Sequence, residues 1–146
     1  MSYIDGFVIA VPSKNKEKYR AMAAEAAIVF KEYGATRVVE AWGDDVPDGK
    51  VTDFKLAVQA KADEVVLFSW IEWPSKKVRD DGREKMMSDP RMQPETIADV
   101  FDGQRMIFFG ATAPGTDAPK QSIQLFAYAA YRSLQNDVSS SRRAVE

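Results

Sequence analysis

The chain has no cysteine and no histidine among its 146 residues. Without Cys it cannot form disulfides, thiolate nucleophiles or Cys-ligated zinc and iron–sulfur sites. Without His it cannot carry haem on a proximal His, a Ser-His-Asp triad or the usual two-His iron site. A metal would have to rest on oxygen ligands, and acid–base chemistry falls to Asp, Glu, Lys or Tyr. We therefore predict a protein without a prosthetic group.

Strong net charge and long apolar runs are also absent. The 20 basic and 22 acidic residues are interspersed and leave a net charge of −2, which does not provide the basic surface that phosphate binding requires. The apolar run FVIAV at residues 7–11 is too short to span a membrane. It follows Asp5 without the basic leader of a signal peptide. We therefore expect a cytoplasmic protein whose partners include neither nucleic acid nor a membrane.

The apolar pattern predicts four strands and two long helices. β-branched and aromatic residues mark the strands, and apolar residues at helical spacing mark the helices. The strands are predicted at residues 3–11, 35–42, 64–73 and 104–111, one helix between Ser13 and Gly34, and another at residues 75–88. Ser13 is expected to cap the first helix, Gly34 to end it, and Pro74 and Ser75 to start the second.

The order of these elements indicates the fold class. Strand, helix, strand, strand, helix, strand is the ferredoxin-like βαββαβ pattern. This α+β fold has an antiparallel four-stranded sheet with helices on one face, and its first and third strands lie in the middle. Those two strands are the most apolar ones of this chain. We therefore predict a ferredoxin-like domain over residues 1–114.

A C-terminal extension, residues 115–146, follows this domain. Residues 117–138 are predicted to form a helix with an apolar stripe, and the final SSSRRAVE is expected to be disordered. The stripe consists of Ile123, Phe126, Ala130 and Leu134. We expect the helix to dock on its own domain or on a dimer partner. An arm that contacts another protein is the alternative.

The second face of the predicted sheet indicates a dimer. Both alternating sets of strand residues contain large apolar side chains, such as Phe7 and Phe68, or Val8 and Trp73. One layer of helices covers only one set, so the other would form an exposed apolar patch. Two sheets packed face to face would bury that patch. We therefore predict a homodimer with a barrel-like interior.

The connection over residues 43–63, GDDVPDGKVTDFKLAVQAKAD, is long and rich in carboxylates. It does not match an EF-hand, because Val46 and Lys55 occupy ligand positions and a strand precedes it. A looser Mg²⁺ or Ca²⁺ site on hard oxygen ligands is one interpretation. Its ligands would be Asp44, Asp45 and Asp48.

A packed structural element is the favoured interpretation of the same connection. The sequence Pro-Asp-Gly at residues 47–49 is typical of a turn. Thr52 is predicted to cap a short helix that starts at Asp53. Phe54 and Val58 are predicted to anchor this helix by packing, and the seam of the dimer is one place for the packed element.

Charged residues within the predicted strands are the candidate site. They are Asp5, Arg37, Glu40, Glu72 and Arg105. Alternation places Glu40 on the same face as Trp42, and Glu72 on the same face as Trp70. If those faces line the barrel interior, carboxylates and aromatic rings converge on one pocket with apolar walls. A carboxylate buried there would pair with an arginine or have a raised pKa suited to a general base.

The alternative is that these charges lie at strand ends in ordinary ion pairs, where they also hinder edge-to-edge aggregation. The aromatic residues are then core or interface packing. The residues that we predict to line a ligand site are Glu40, Trp42, Asp44, Asp45, Trp70, Glu72 and Arg105.

Three segments carry a family resemblance. They are YIDGFVIAVPSKNKEKY from residue 3, VVEAWGDDVPDGKVTDF from residue 38, and FSWIEWPSKKVRDDG from residue 68 with SDPRM and FDGQRMIFFG after it. Together they resemble the YbaA-like family of small bacterial proteins of unknown function, over residues 3–112. The resemblance implies a dimeric α/β barrel of ferredoxin-like protomers. It implies no reaction and no catalytic residues.

We predict a small-molecule-binding homodimer with its cavity between helices and sheet or inside the barrel. A cofactor-independent enzyme is one form of this function. The alternative is a structural or protein-interaction dimer without catalysis, which would use the C-terminal helix as its contact element.

Overall fold

The structure, a computed structural model, describes residues 1–92 and 95–113. The strands are β1 Ser2–Pro12, β2 Arg37–Trp42, β3 Glu64–Trp73 and β4 Ile107–Ala113. The helices are α1 Lys16–Glu32, α2 Phe54–Ala57, α3 Lys76–Met87 and α4 Glu95–Ala98, with 3₁₀ turns at Ser13–Asn15, Pro90–Met92 and Gly103–Arg105. The predicted helix at 117–138 lies outside the described residues. None of the described helices is long and apolar enough to cross a membrane.

The four strands form one antiparallel sheet in the order β2-β3-β1-β4. The two most apolar strands, β1 and β3, are its central pair, and β2 is an edge strand, as predicted. The connection from β1 through α1 to β2 leaves room for β3 between them, which is the split βαβ arrangement. The predicted ferredoxin-like α+β fold is confirmed.

The ends of the two long helices follow local sequence signals. Gly34 has a φ of +108°, a conformation that only glycine adopts without strain, and it ends α1 as predicted. Ser75 caps α3, since its hydroxyl oxygen accepts a hydrogen bond from Val78 N at 3.2 Å. The predicted capping role of Ser13 is wrong. Its hydroxyl donates to Asp63 O at 2.9 Å, and a 3₁₀ turn separates it from α1.

The register of the strands divides their residues between two faces of the sheet. The helix side carries the main core, in which buried residues of β1 and β3 pack against α1 and α3. Its strand residues include Tyr3, Asp5, Phe7, Ile9 and Val11 of β1, Leu67, Ser69, Ile71 and Trp73 of β3, and Val38, Glu40 and Trp42 of β2. The outer face carries Ile4, Val8, Ala10, Val66, Phe68, Trp70, Glu72 and Phe109.

The connection over residues 43–63 packs on the outer face. Val58 is fully buried against Val8 and Val66, and the Phe54 ring lies 6.2 Å from the Phe68 ring. The packing that was predicted for Phe54 and Val58 is therefore confirmed. The connection is long because it returns across the sheet and covers part of a face that the helices leave bare.

The cap of α2 differs from the prediction. Asp53, not Thr52, is the N-cap residue, and its carboxylate accepts from Leu56 N at 2.7 Å and from Gly49 N at 2.9 Å. These backbone hydrogen bonds lower the pKa of Asp53. A carboxylate that accepts two amides satisfies more of the donors at this turn than a threonine hydroxyl does.

The fourth strand begins at Ile107, three residues after the predicted start at Gln104. Asp102 Oδ1 accepts from Gln104 N at 3.0 Å and so holds a 3₁₀ turn there. Arg105 belongs to this turn, so its prediction as a strand residue is wrong.

Candidate functional site

A carboxylate lies in the middle of the central strand β1. Asp5 points to the helix side of the sheet, where only 6% of its surface is exposed. Its strand neighbours are Ile71 of β3 and Gly110 of β4. Its Oδ2 accepts one hydrogen bond, from Trp73 Nε1 at 3.1 Å. A charge at this depth is rare unless it is paired or functional.

The cation nearest to Asp5 is Arg79 of α3, which is 8% exposed. Its Nε lies 3.5 Å from Asp5 Oδ1. Its Nη2 donates to Tyr3 Oη at 2.7 Å, its Nη1 lies 3.1 Å from Asp80 Oδ1, and its guanidinium stacks 4.5 Å from the centre of the Tyr3 ring. Asp5, Arg79, Tyr3 and Trp73 are called the Asp5–Arg79 cluster from here on.

The contact between the two charges of this cluster is imperfect. Within the described residues, Asp5 Oδ1 and Arg79 Nε are buried and have no hydrogen-bond partner. Burial raises the pKa of Asp5 above its ordinary value of 3.8, and Arg79 and the Trp73 indole offset only part of that effect. The cluster therefore combines a carboxylate that is ready to accept or hold a proton with hydroxyl, indole and guanidinium donors around it.

The edge strand β4 borders this cluster. Its residues Phe108 and Gly110 pair with Phe7 and Asp5 of β1 and lie on the helix side. Gly110 leaves space for the cluster, because a Cβ at this position would lie 2.5 Å from Tyr3 Oη. The Phe108 ring is 45% exposed, and the Arg83 guanidinium of α3 lies 5.8 Å from its centre.

A second polar cluster joins α1 to β2 and β3. Glu40 Oε2 accepts from Tyr19 Oη at 2.6 Å and from the Ser69 hydroxyl. Burial and the neighbouring Glu40 carboxylate raise the pKa of Tyr19 well above its ordinary value, so it stays protonated. Trp42 packs edge-on against Tyr19, with Lys16 Nζ 5.2 Å from its ring. Glu40 thus satisfies two buried hydroxyls, which is a structural role.

The predicted pairing of Glu40 and Glu72 in one pocket is wrong. Glu40 is opposite Ser69 and Glu72 is opposite Arg37, so the two carboxylates lie on opposite faces of the sheet. On the outer face, Glu72 Oε1 accepts from Trp70 Nε1 at 3.0 Å and lies 3.5 Å from Arg37 Nη1. The register between β2 and β3 separates them, because Glu40 is opposite Ser69 and successive strand residues alternate in direction.

The other predicted site residues do not join a common site either. Arg105 donates to Glu64 Oε1 at 2.6 Å and lies 2.9 Å from Asp102 Oδ2, which ties the turn before β4 to the start of β3. Asp44 and Asp45 are exposed in the long connection, and Asp48 pairs with Lys55 at 2.9 Å. Nowhere in residues 1–92 and 95–113 do three or more carboxylates form a group that could hold a metal ion.

The outer face carries an open apolar groove of about 320 Å³. Its lining residues are Ile4, Phe68, Trp70, Phe109, Ala111, Thr112 and Ala113. Phe68 and Phe109 are 41% and 46% exposed. Trp70 is thus the predicted site residue that reaches a groove, and Glu72 lies beside it on the same face.

The sequence indicated Asp5 as a charged residue within a strand. The predicted site residues did not include Asp5, Arg79, Tyr3 or Trp73. One signal was present, a carboxylate in the middle of the most buried strand. Its partner could not be recognised, because Arg79 lies far along the chain on a helix that carries many other charged residues. The orientation of α3 decides which of those charges turns inward.

The fold and much of the chain match known proteins. A family model described as "Protein of unknown function (DUF1428)" matches residues 2–103. The chain is 61% identical over 110 residues to "Uncharacterized protein YbaA" of Escherichia coli (strain K12), a match that covers 75% of this chain and 94% of YbaA. The YbaA protein of Shigella flexneri matches with the same values.

Two solved structures show the fold alone, because their identity is low. An uncharacterized NIPSNAP domain protein from Burkholderia xenovorans matches with a TM-score of 0.50 and 16% identity, over 82% of this chain and 100% of the other. An uncharacterized NIPSNAP-like domain protein from the same organism gives 0.51 and 10%, over 81% and 90%. The sequence matches confirm the resemblance that the three motifs carry, and the chain belongs to the DUF1428 family of proteins of unknown function, with YbaA as a close relative.

Proposed function

We propose that the protein is a homodimer that binds a small molecule beside α3, with the Asp5–Arg79 cluster at the centre of the site. The observation that carries this proposal is the pair of buried, oppositely charged side chains whose facing atoms, Asp5 Oδ1 and Arg79 Nε, lie 3.5 Å apart and form no hydrogen bond. Buried polar atoms without partners are uncommon in folded proteins and occur where a ligand or a reaction uses them.

Stability alone gives little reason to keep this pair. Apolar residues at the same two positions would avoid the desolvation of two charges and would pack equally well. The Glu64–Arg105 pair at the other end of β3 shows the contrast, because its two hydrogen bonds of 2.6 and 2.8 Å satisfy both partners. A loose pair beside an open strand edge is therefore better explained by binding than by support of the fold.

The outer face of the sheet supports the homodimer. Phe68 and Phe109 leave nearly half of their surface exposed there, and the apolar surface continues onto the connection at Phe54 and Leu56. A second copy of the chain presents the same apolar surface, and two-fold dimers through self-complementary patches are the commonest assemblies. Packing two such faces buries the groove and leaves the helix side of each sheet free for a ligand.

Native mass spectrometry of the freshly purified full chain tests both parts. We expect a dimer, and we expect Phe68→Asp to convert it to a monomer because the variant places a charge in the apolar interface. Ile28→Asp is the matched control, since Ile28 is an apolar residue on α1 that is 57% exposed, against 41% for Phe68. It is expected to leave the dimer intact.

The same spectra report a retained ligand as a discrete additional mass. We expect the double variant Asp5→Asn/Arg79→Met to lose that mass while remaining a dimer. A wild-type monomer would contradict the assembly. A retained mass that the double variant still carries would contradict the site.

A further inference from the structure

The edge of the site suggests the chemistry of its ligand. Phe108 and Gly110 of β4, together with Arg83 of α3, form what is called the β4 shelf from here on. Phe108 and Gly110 are both exposed on the helix side, because α3 packs over β1 and β3 and stops short of the edge strand. The shelf lies next to Asp5, which pairs with Gly110 across the two strands. An apolar floor is therefore available beside the buried charges.

The charges around the shelf favour an anion. On this side of α3, the cations Lys76, Arg79 and Arg83 accompany two carboxylates, Asp5 and Asp80. Lys76 pairs with Asp80 at 2.7 Å, and Arg79 lies between Asp80 and Asp5. Arg83 is the remaining cation, and no carboxylate of the described residues lies within 4 Å of its guanidinium. The local excess is one positive charge, and it is at the shelf.

The arrangement of Arg83 and Phe108 defines the shape of a suitable ligand. The guanidinium lies 5.8 Å from the centre of the Phe108 ring and remains exposed. An arginine binds a carboxylate through two parallel N–H donors. A planar apolar group attached to that carboxylate can stack on the Phe108 ring in the same pose. The Tyr3 hydroxyl occupies the space above the neighbouring Gly110, so it would border such a group on that side.

We propose that the ligand of this protein is a small aromatic carboxylic acid, which lies on the β4 shelf with its carboxylate on Arg83 and its ring on Phe108. This inference rests on the proposed function, since it names the ligand class for the site beside α3. The Asp5–Arg79 cluster then lies behind the ligand, and its Tyr3 hydroxyl, next to Gly110, is the member that borders the shelf.

Benzoate is the probe for this class, titrated into the isotopically labelled full chain and followed by amide NMR shifts. We expect shifts at residues 79–83 and 108–110, with a dissociation constant of about 1–10 mM for so small a molecule. Arg83→Gln is expected to weaken binding roughly tenfold, as the loss of a charge-assisted bidentate contact implies. Arg37→Gln is the matched control, because Arg37 also lies over an aromatic ring, Trp70, but on the outer face.

Two further probes separate the contributions of charge and ring. Benzamide keeps the ring and removes the charge, so equal binding of benzamide would overturn the role of Arg83. Inorganic phosphate keeps a negative charge and removes the ring, so equal binding of phosphate would overturn the role of Phe108. Benzoate shifts that appear only on the outer face, or none at 20 mM, would overturn the ligand class. That result would not contradict the dimer or the Asp5–Arg79 site, which the mass spectra test separately.

Discussion

Replacing Asp5 and Arg79 together tests whether their cluster exists for stability or for binding. In the variant Asp5→Asn/Arg79→Met, the Asn Oδ1 can still accept the Trp73 Nε1–H, and Met fills the space of the arginine stem. The variant removes two charges that are more than nine-tenths buried and whose closest approach is 3.5 Å. Desolvation of such a pair commonly exceeds its attraction. We therefore expect the free energy of unfolding to stay unchanged or to rise by about 1–4 kcal/mol.

Each single variant is expected to be less stable than the double variant, because it leaves one buried charge without its partner. Arg79→Met leaves the Asp5 carboxylate with the Trp73 N–H alone, and we expect a loss of about 3–5 kcal/mol at pH 7. Asp5→Asn leaves Arg79 bonded to Tyr3 Oη and close to Asp80, so its loss is expected to be about 1–3 kcal/mol. The four proteins together form a double-mutant cycle.

The pH dependence provides an independent check on the same variants. Burial raises the pKa of Asp5 above its unfolded value of 3.8, so at intermediate pH the folded state holds a proton that the unfolded state has released. The free energy of unfolding contributed by Asp5 therefore falls as the pH rises from 3.8 through the folded pKa. Arg79→Met removes the charge that opposes this shift, so its deficit is expected to shrink as the pH is lowered. Both Asn variants are expected to lose this dependence.

Urea denaturation at fixed protomer concentration measures all four proteins, since the linear slope also reports whether the compactness of either state has changed. The control is Glu64→Gln/Arg105→Met, which removes the well-bonded pair and is expected to lose stability. No loss of stability is expected for Asp5→Asn/Arg79→Met. A decrease of more than about 2 kcal/mol in its free energy of unfolding would show that the cluster is structural, and would refute a role in binding.

Two further variants test contacts that hold β3 and α3 in the fold. Hydrogen bonds from Arg105 lower the pKa of Glu64 to about 2, against an unfolded value of 4.5. Glu64→Gln is therefore expected to lower the free energy of unfolding by at most about 3 kcal/mol above pH 4.5. Urea titrations are expected to show this difference disappearing as the pH falls through about 2. A difference that stays constant with pH would argue against this origin. Gly82→Ala is expected to lower the thermal midpoint, because a Cβ would lie 2.7 Å from Tyr33 O and 3.1 Å from the Trp73 ring. The cost of overpacking, about 1–3 kcal/mol, outweighs a gain of about 1 kcal/mol in helix propensity. A raised thermal midpoint in calorimetry would show that α3 can shift outward.

Local sequence signals predicted most of the fold. The predicted bounds of β3, residues 64–73, are those of the structure, because this largely apolar and aromatic segment is typical of a central strand. Gly34 and Ser75 end and begin their helices for reasons that involve only neighbouring backbone groups. Even the packing of Phe54 and Val58 followed from local amphipathicity.

The candidate site could not be predicted in the same way, because it depends on contacts between distant parts of the chain. Period-2 alternation placed Glu40 and Glu72 correctly within their own strands. It could not give the register between β2 and β3, which puts the two carboxylates on opposite faces. Asp5 and Arg79 meet because α3 crosses β1, and helix orientation is a property of the packed core.

Strand β1 separates two roles from one residue to the next. Asp5 and Phe7 face α3 and the β4 shelf, whereas Gly6 lies beneath Phe109 on the outer face. Because adjacent strand residues point to opposite sides, a second copy can cover the outer face without touching the Asp5–Arg79 cluster. In the function that we propose, the apolar outer surface serves assembly and the charged helix side serves ligand binding. This division also explains how one sheet carries both an exposed aromatic groove and a buried ion pair.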